Sequence, residues 1–276
     1  MLGDDGVAPV EDNIVFFVRR ICDQGPDWVV DRSRPRVEAF SSQLEFPLFN
    51  LVAGASVDGL AADAVEELAR SVVAEFTARR LPWMWWTTPT HTSPQLEDTL
   101  SSSGLEPECV PGMYADLEAI PDHEVAIETH EVPVHDQGFG EVFINGFGLP
   151  EFILNPIQGL LDSFRTSEQV VMVASIQGRT VGVASGLITG NTIGIYNVAT
   201  LPEHRGHGVG SSVTRAVMQE GKNRGCTSAI LHTTPMGRGV YERLGFEAVC
   251  STTHWTWMPE EGEVTRGIRH RLQQAR

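Results

Sequence analysis

One order of elements occurs twice in this chain and limits the folds open to it: strand, long helix, strand, short helix ending at glycine, strand. The first copy starts with a strand-like run over 48–55. Val65, Leu68, Ala69, Val72, Val73 and Phe76 then recur at helical spacing until Pro82 stops them. The aromatic stretch Trp83–Met84–Trp85–Trp86–Thr87 reads as a strand, 95–103 as a helix closed by Gly104, and 106–117 as extended structure with a turn at Pro111–Gly112. The second copy has a strand over 193–200, a helix to about Arg224 with Val209, Val213, Ala216 and Val217 on one face, and a strand over 228–233. A short helix over 239–244 capped by Gly245 and an extended run over 247–258 complete it. Thr87–Thr88–Pro89 echoes Thr233–Thr234–Pro235, and Gly104–Leu105 echoes Gly245–Phe246, as in a weak internal duplication.

The copies differ where chemistry would sit. Between strand and long helix the second copy carries Arg205–Gly206–His207–Gly208–Val209–Gly210. Glycines let a backbone approach a ligand closely, and the first turn of a helix presents unpaired N–H groups to an anion. The first copy has no such turn, and it has Leu100 where the second has Tyr241, four residues before the capping glycine.

Between the copies, 119–128 is acidic with Pro121 and reads as a linker. A strand over 131–134, helices over 136–147 and 151–164, and a hairpin of 170–176 with 180–189 around Gln177–Gly178–Arg179 follow. The second half thus reads β–α–α–β–β–β–α–β–α–β. The expected division is 1–120 and 121–276.

The net charge of −16 argues against general nucleic-acid binding, which wants a basic face. It leaves open plain solubility or attraction of a cationic substrate. Residues 1–12 are acidic with no apolar core, unlike a signal peptide, and no apolar run is long enough to span a membrane. Cys22, Cys109, Cys226 and Cys250 show no ligand spacing, so free thiols in the cytoplasm and no metal are expected.

The run Asn197–Val198–Ala199–Thr200–Leu201–Pro202–Glu203–His204–Arg205–Gly206–His207–Gly208–Val209–Gly210, with Val240–Tyr241–Glu242–Arg243–Leu244–Gly245–Phe246 after it, resembles the GCN5-related N-acetyltransferase (GNAT) superfamily. The first half, with Trp85–Trp86 and Pro111–Gly112–Met113, looks like the degenerate N-terminal half of tandem GNAT proteins. The resemblance implies an α/β fold of the α+β mixed-sheet kind: two GNAT-like domains in tandem, each a central, mostly antiparallel sheet flanked by helices. The first would be non-catalytic.

It also implies acetyl-CoA as donor. The pantetheine arm would pair with backbone groups of Val198, Ala199 and Thr200 where two strands splay apart. The pyrophosphate would lie on N–H groups of Gly206, His207, Gly208, Val209, Gly210 and Ser211. Arg205 would touch phosphate or brace the helix start, and Arg238 would reach the ribose phosphate or stay in solvent. Tyr241 matches the family's general acid, since a phenol of pKa near 10 can protonate a leaving thiolate; its alternative is packing between helix and sheet. His232 is a candidate base whose ordinary pKa suits the task, or a structural strand histidine. Glu203, His204, Glu151 and His254 are further candidates, and ordered water is another route. Trp83, Trp85 and Trp86 read as core or a ligand platform, and Trp255 and Trp257 as core with one face beside a substrate cleft.

The expected reaction is transfer of acetyl to a primary amine by direct attack in a ternary complex. A non-enzymatic acyl-CoA sensor and transfer of a longer acyl group are the alternatives. The acceptor would be a small molecule or peptide amine, with neither nucleic acid nor membrane as partner, and the protein a monomer or homodimer.

Overall fold

A computed structural model describes residues 6–24, 29–30, 36–121, 127–162 and 166–260. The elements in chain order are α1 (Val7–Gln24), β1 (Val29–Val30), β2 (Glu38–Ser41), β3 (Asn50–Ala53), α2 (Ala62–Ala78), β4 (Trp83–Thr87), α3 (Pro94–Ser102) and β5 (Glu106–Asp116). They continue with β6 (Glu128–Glu131), α4 (Gln137–Phe147), α5 (Leu154–Asp162), β7 (Gln169–Ile176), β8 (Arg179–Thr189) and β9 (Thr192–Thr200). The last are α6 (Val209–Asn223), β10 (Ser228–His232), α7 (Arg238–Arg243) and β11 (Glu247–Trp257). The architecture is α/β with mixed sheet flanked by helices.

The chain divides into two compact units that interleave in sequence. One holds Ile14–Pro111 together with the chain from Cys250 onward; the other holds Gly112–Val249 together with the start of α1 up to Asn13. Each half of the sequence therefore gives the later part of its last strand to the other unit, β5 from Gly112 and β11 from Cys250.

In the first of these units the strands run β1-β2-β3-β4-β11. β3 and β4 are parallel, joined by the crossover helix α2, and β11 is antiparallel to β4 with Trp255 opposite Trp85. The helical stripe foreseen over 65–76 is the buried face of α2: Val65, Ala69, Val72, Val73 and Phe76. It packs on Trp83, Trp85 and Trp255, with Trp257 at the margin. Trp83 and Phe76 lie 5.2 Å apart, and the Trp255 indole donates to the Thr87 hydroxyl at 3.2 Å. Burying one such tryptophan contributes about 4–6 kcal/mol at ~25 cal/mol per Å². Two of the three tryptophans of β4 are thus core; Trp86 points to the other face and stacks on His254 at 4.5 Å. Trp255 and Trp257 are two residues apart, so strand alternation puts both on the core side.

In the other unit the order is β5-β10-β9-β8-β7-β6, with every pair antiparallel except β9 and β10. Helix α6 lies close on one face. A Cβ on Gly186 would come within 2.8 Å of Val217, and one on Gly221 within 2.6 Å of Ile193. Gly182 likewise makes room for Val209 at the start of the helix. Helix α4 lies on the opposite face, its Gly146 against Ala199.

Three local expectations change. Pro111–Gly112 makes no turn: β5 runs straight through it, because Val110 accepts a hydrogen bond from Thr252 on one side and Gly112 pairs with His232 on the other. The strand expected over 131–134 is β6, which starts three residues earlier and is stopped by Pro133. Helix α1 was not foreseen, although Val10, Ile14, Phe17 and Val18 form a buried stripe at helical spacing. The expected end of the helix at 164 lies outside the described residues.

Candidate active site

The site begins where β9 leaves its parallel neighbour. Pairing of β9 with β10 ends at Ile195 opposite Leu231, but β9 continues to Thr200 paired only with β8. The register on β8 slips between Val183 and Ser185, so Asn197 and Val198 together span one position of β8. Asn197 has φ +56, a left-handed conformation that asparagine tolerates better than most residues. Its Nδ2 donates to the Ser185 hydroxyl at 2.9 Å, and that hydroxyl donates to the Tyr196 carbonyl at 3.3 Å. This β-bulge bends the strand away and leaves the β10-facing edge of Val198, Ala199 and Thr200 without a strand partner in the sheet.

Past Thr200 the chain makes a short 3-10 turn, Pro202–His204, and enters the glycine-rich loop. Gly206 (φ +77) and Gly208 (φ +82) adopt backbone that other residues avoid, and a Cβ on either would meet no atom within 4 Å. Gly208 is the N-cap of α6 and offers no side chain to it. The first-turn N–H groups have no intrahelical acceptor by geometry, and N–H groups in that position can hold an anion. A Cβ on Gly210 would lie 3.7 Å from the Thr200 hydroxyl, which brings the end of the slot against the start of the helix.

The guanidinium of Arg205, an exposed residue, donates to the Gly146 carbonyl at 2.6 Å, tying the loop to the C-terminal end of α4. Of the other charged candidates, Arg238 donates to Glu242 at 2.7 Å, and Glu203 stands 3.5 Å from Arg179. His254 is taken up by the stack on Trp86. Among the described residues no group of three His, Cys, Asp or Glu is placed to hold a metal, and no helix is long and apolar enough to cross a membrane.

Tyr241 lies on α7 with its ring edge-on to Phe246, centroids 6.1 Å apart. Burial pushes its hydroxyl up to about 12, so the phenol keeps its proton throughout the physiological range. His232 ends β10. Burial pulls its imidazole down to about 4 from 6.5, so the ring is neutral at physiological pH. The neutral form is the one the fold prefers. The stability this confers is complete above about pH 6.5 and is lost as pH falls toward 4, by up to about 3 kcal/mol. Urea unfolding of wild type and His232→Gln at stepped pH tests this: the variant should lose less stability on acidification, and parallel curves would remove His232 from the acid response.

Sequence reading missed the partners that hold the bulge, Ser185 and Asn197, and the residue that anchors Tyr196, Asn13. The Tyr196 hydroxyl donates to Asn13 Oδ1 at 2.5 Å. The available signal was a polar residue within an apolar run, Ser185 and Asn197 in strands and Asn13 in helix α1.

The acetyltransferase (GNAT) family model matches residues 141–246, the stretch that holds the slot, the cradle and Tyr241. A thialysine N-epsilon-acetyltransferase of Mus musculus is 26% identical over 86 residues, 30% of this chain and 51% of that protein. The match thus spans about half the length of that curated relative. A GCN5-related N-acetyltransferase from Kribbella flavida has a similar fold at TM-score 0.71 and 14% identity, covering 94% of this chain and 98% of that one. A tandem GNAT protein from the clavulanic acid biosynthesis pathway aligns at TM-score 0.57 and 12% identity over 95% of this chain and 97% of its own. Residues 141–246 thus match the acetyltransferase (GNAT) family model, and the fold is similar to those of solved GNAT proteins, a tandem one among them.

Proposed function

We propose that this protein transfers the acetyl group of acetyl-CoA to a primary amine by direct attack in a ternary complex. The observation that carries the reading is the open edge of β9 at Val198–Thr200, followed through the glycine-rich loop by a start of α6 that has no side-chain cap. The residues fit the donor. An extended amide-bearing arm suits a strand edge with free N–H and C=O groups, and two linked phosphates suit the N–H groups of Gly206 through Ser211.

In the reaction the amine nitrogen attacks the thioester carbonyl. The backbone N–H of Val198 stabilises the oxyanion that forms, and the C–S bond then breaks. Tyr241 gives its proton to the departing thiolate and regains one from solvent. His232, neutral but weakly basic, accepts a hydrogen bond at the attacking amine or its water, and the proton leaves through water. Arg205 acts by holding the loop through Gly146.

The first half of the sequence does no chemistry in this reading. Its α2 begins with Asp63 in the first turn, which repels phosphate, and its Leu100 is fully buried where Tyr241 stands in the second half. The charge of −16 favours a basic amine as acceptor. The free thiols Cys109 and Cys226 suit a reducing cytoplasm. Calorimetry with acetyl-CoA, followed by thiol release over a panel of lysine-like amines, polyamines, aminoglycosides and peptide N-termini, tests the proposal. Tight binding and turnover of at least one basic amine is expected. Binding without turnover of any amine would favour an acyl-CoA sensor instead.

A further inference from the structure

The point where β9 departs from β10 is held from outside the strand. Ile195 is the last residue paired with Leu231, Asn197 opens the bulge, and Tyr196 lies between them. Tyr196 is tied by its hydroxyl to Asn13, a wholly buried residue of α1 that is 183 positions away. The Asn13 amide is itself fixed, because Nδ2 donates to the Leu187 carbonyl at 3.2 Å and to the Thr189 hydroxyl at 3.0 Å, both on β8. Asn13 reaches this place because Gly194 carries no side chain; a Cβ there would fall on the Asn13 amide. Leu187 and Gly194 are register partners, so Asn13 spans β8 and β9 three residues before the bulge.

We propose that Asn13 is a positioning residue for the acetyl-CoA slot, acting through Tyr196 to set the angle at which β9 leaves β10. The proposal rests on the reading of that slot as the donor site. Nothing on α1 touches the donor in this account. The helix fixes the residue on which the strand turns, and Ser185 with Asn197 fixes the next one. The free edge at Val198–Thr200 then has one orientation before the donor arrives. Losing the tie lets the edge sample others, and binding has to select among them.

The test is acetyl-CoA calorimetry and steady-state kinetics on full-length wild type, Asn13→Leu, Tyr196→Phe and the double variant, with thermal unfolding alongside. Either single variant should raise the acetyl-CoA Kd and KM by about tenfold, the scale of one buried hydrogen bond. The acceptor KM should stay within twofold. The double variant should be no worse than about the poorer single, because both changes break the same tie. Tyr196→Phe keeps the ring and serves if Asn13→Leu does not fold. Unchanged acetyl-CoA affinity, or losses that add and fall equally on the acceptor, would overturn the proposal and make Asn13 a packing residue. If wild type binds no acetyl-CoA, the donor-site reading itself fails, and this inference with it.

Discussion

Tyr241→Phe should lower kcat by about 10²- to 10⁴-fold, the range removed with a general acid, while leaving acetyl-CoA affinity close to wild type. The substitution keeps the ring that packs edge-on against Phe246, so the fold should survive. The pH profile carries the sharper information. An acid must be protonated to act, and burial pushes this phenol up to about 12. Wild-type turnover should therefore show no alkaline decline from Tyr241 between about pH 7 and 10, where an ordinary tyrosine would begin to lose its proton. A variant with wild-type kcat across that range would assign Tyr241 to packing.

Gly208→Val should weaken acetyl-CoA binding by about 100-fold or more, equivalent to about 2.7 kcal/mol. Gly208 has φ +82 at the N-cap of α6, where a β-branched residue costs about 1–3 kcal/mol in backbone strain. The space around its Cβ position is open, so the side chain would project where phosphates are to lie. Gly59→Val is the matched control. Gly59 also has positive φ (+73) and open surroundings, but it precedes α2, whose first turn is acidic. Both variants should lose comparable stability, and only Gly208→Val should lose acetyl-CoA in calorimetry. Equal affinities in the two would remove the glycine-rich loop from donor binding.

Most elements were legible in the sequence because each carries a local signal. Pro82 and Gly104 stop their helices, Gln177–Gly178 turns a hairpin with both residues at positive φ, and the apolar stripe on 65–76 is the buried face of α2. The glycine-rich loop was legible for the same reason: Gly206 and Gly208 are needed by backbone that they adopt locally. What the sequence hid depends on contacts between distant residues. Pro111–Gly112 has the composition of a turn, yet strand partners on both sides hold it extended. Arg205 sits in the glycine-rich run, yet its hydrogen-bond acceptor is a carbonyl 59 residues away. The bulge at Asn197 is made by a register slip against β8, which one strand cannot announce by itself.

The exchange of last strands has a consequence for synthesis. β4 receives its antiparallel neighbour from β11, and Trp255 fills the core around Trp83 and Trp85. Those residues emerge from the ribosome after almost every other described element, so the N-terminal core waits, with an unpaired strand edge, for nearly the whole chain. At ~5–20 residues per second that wait lasts on the order of ten seconds or more. The core around Trp83 and Trp85 therefore closes only once β11 has been made.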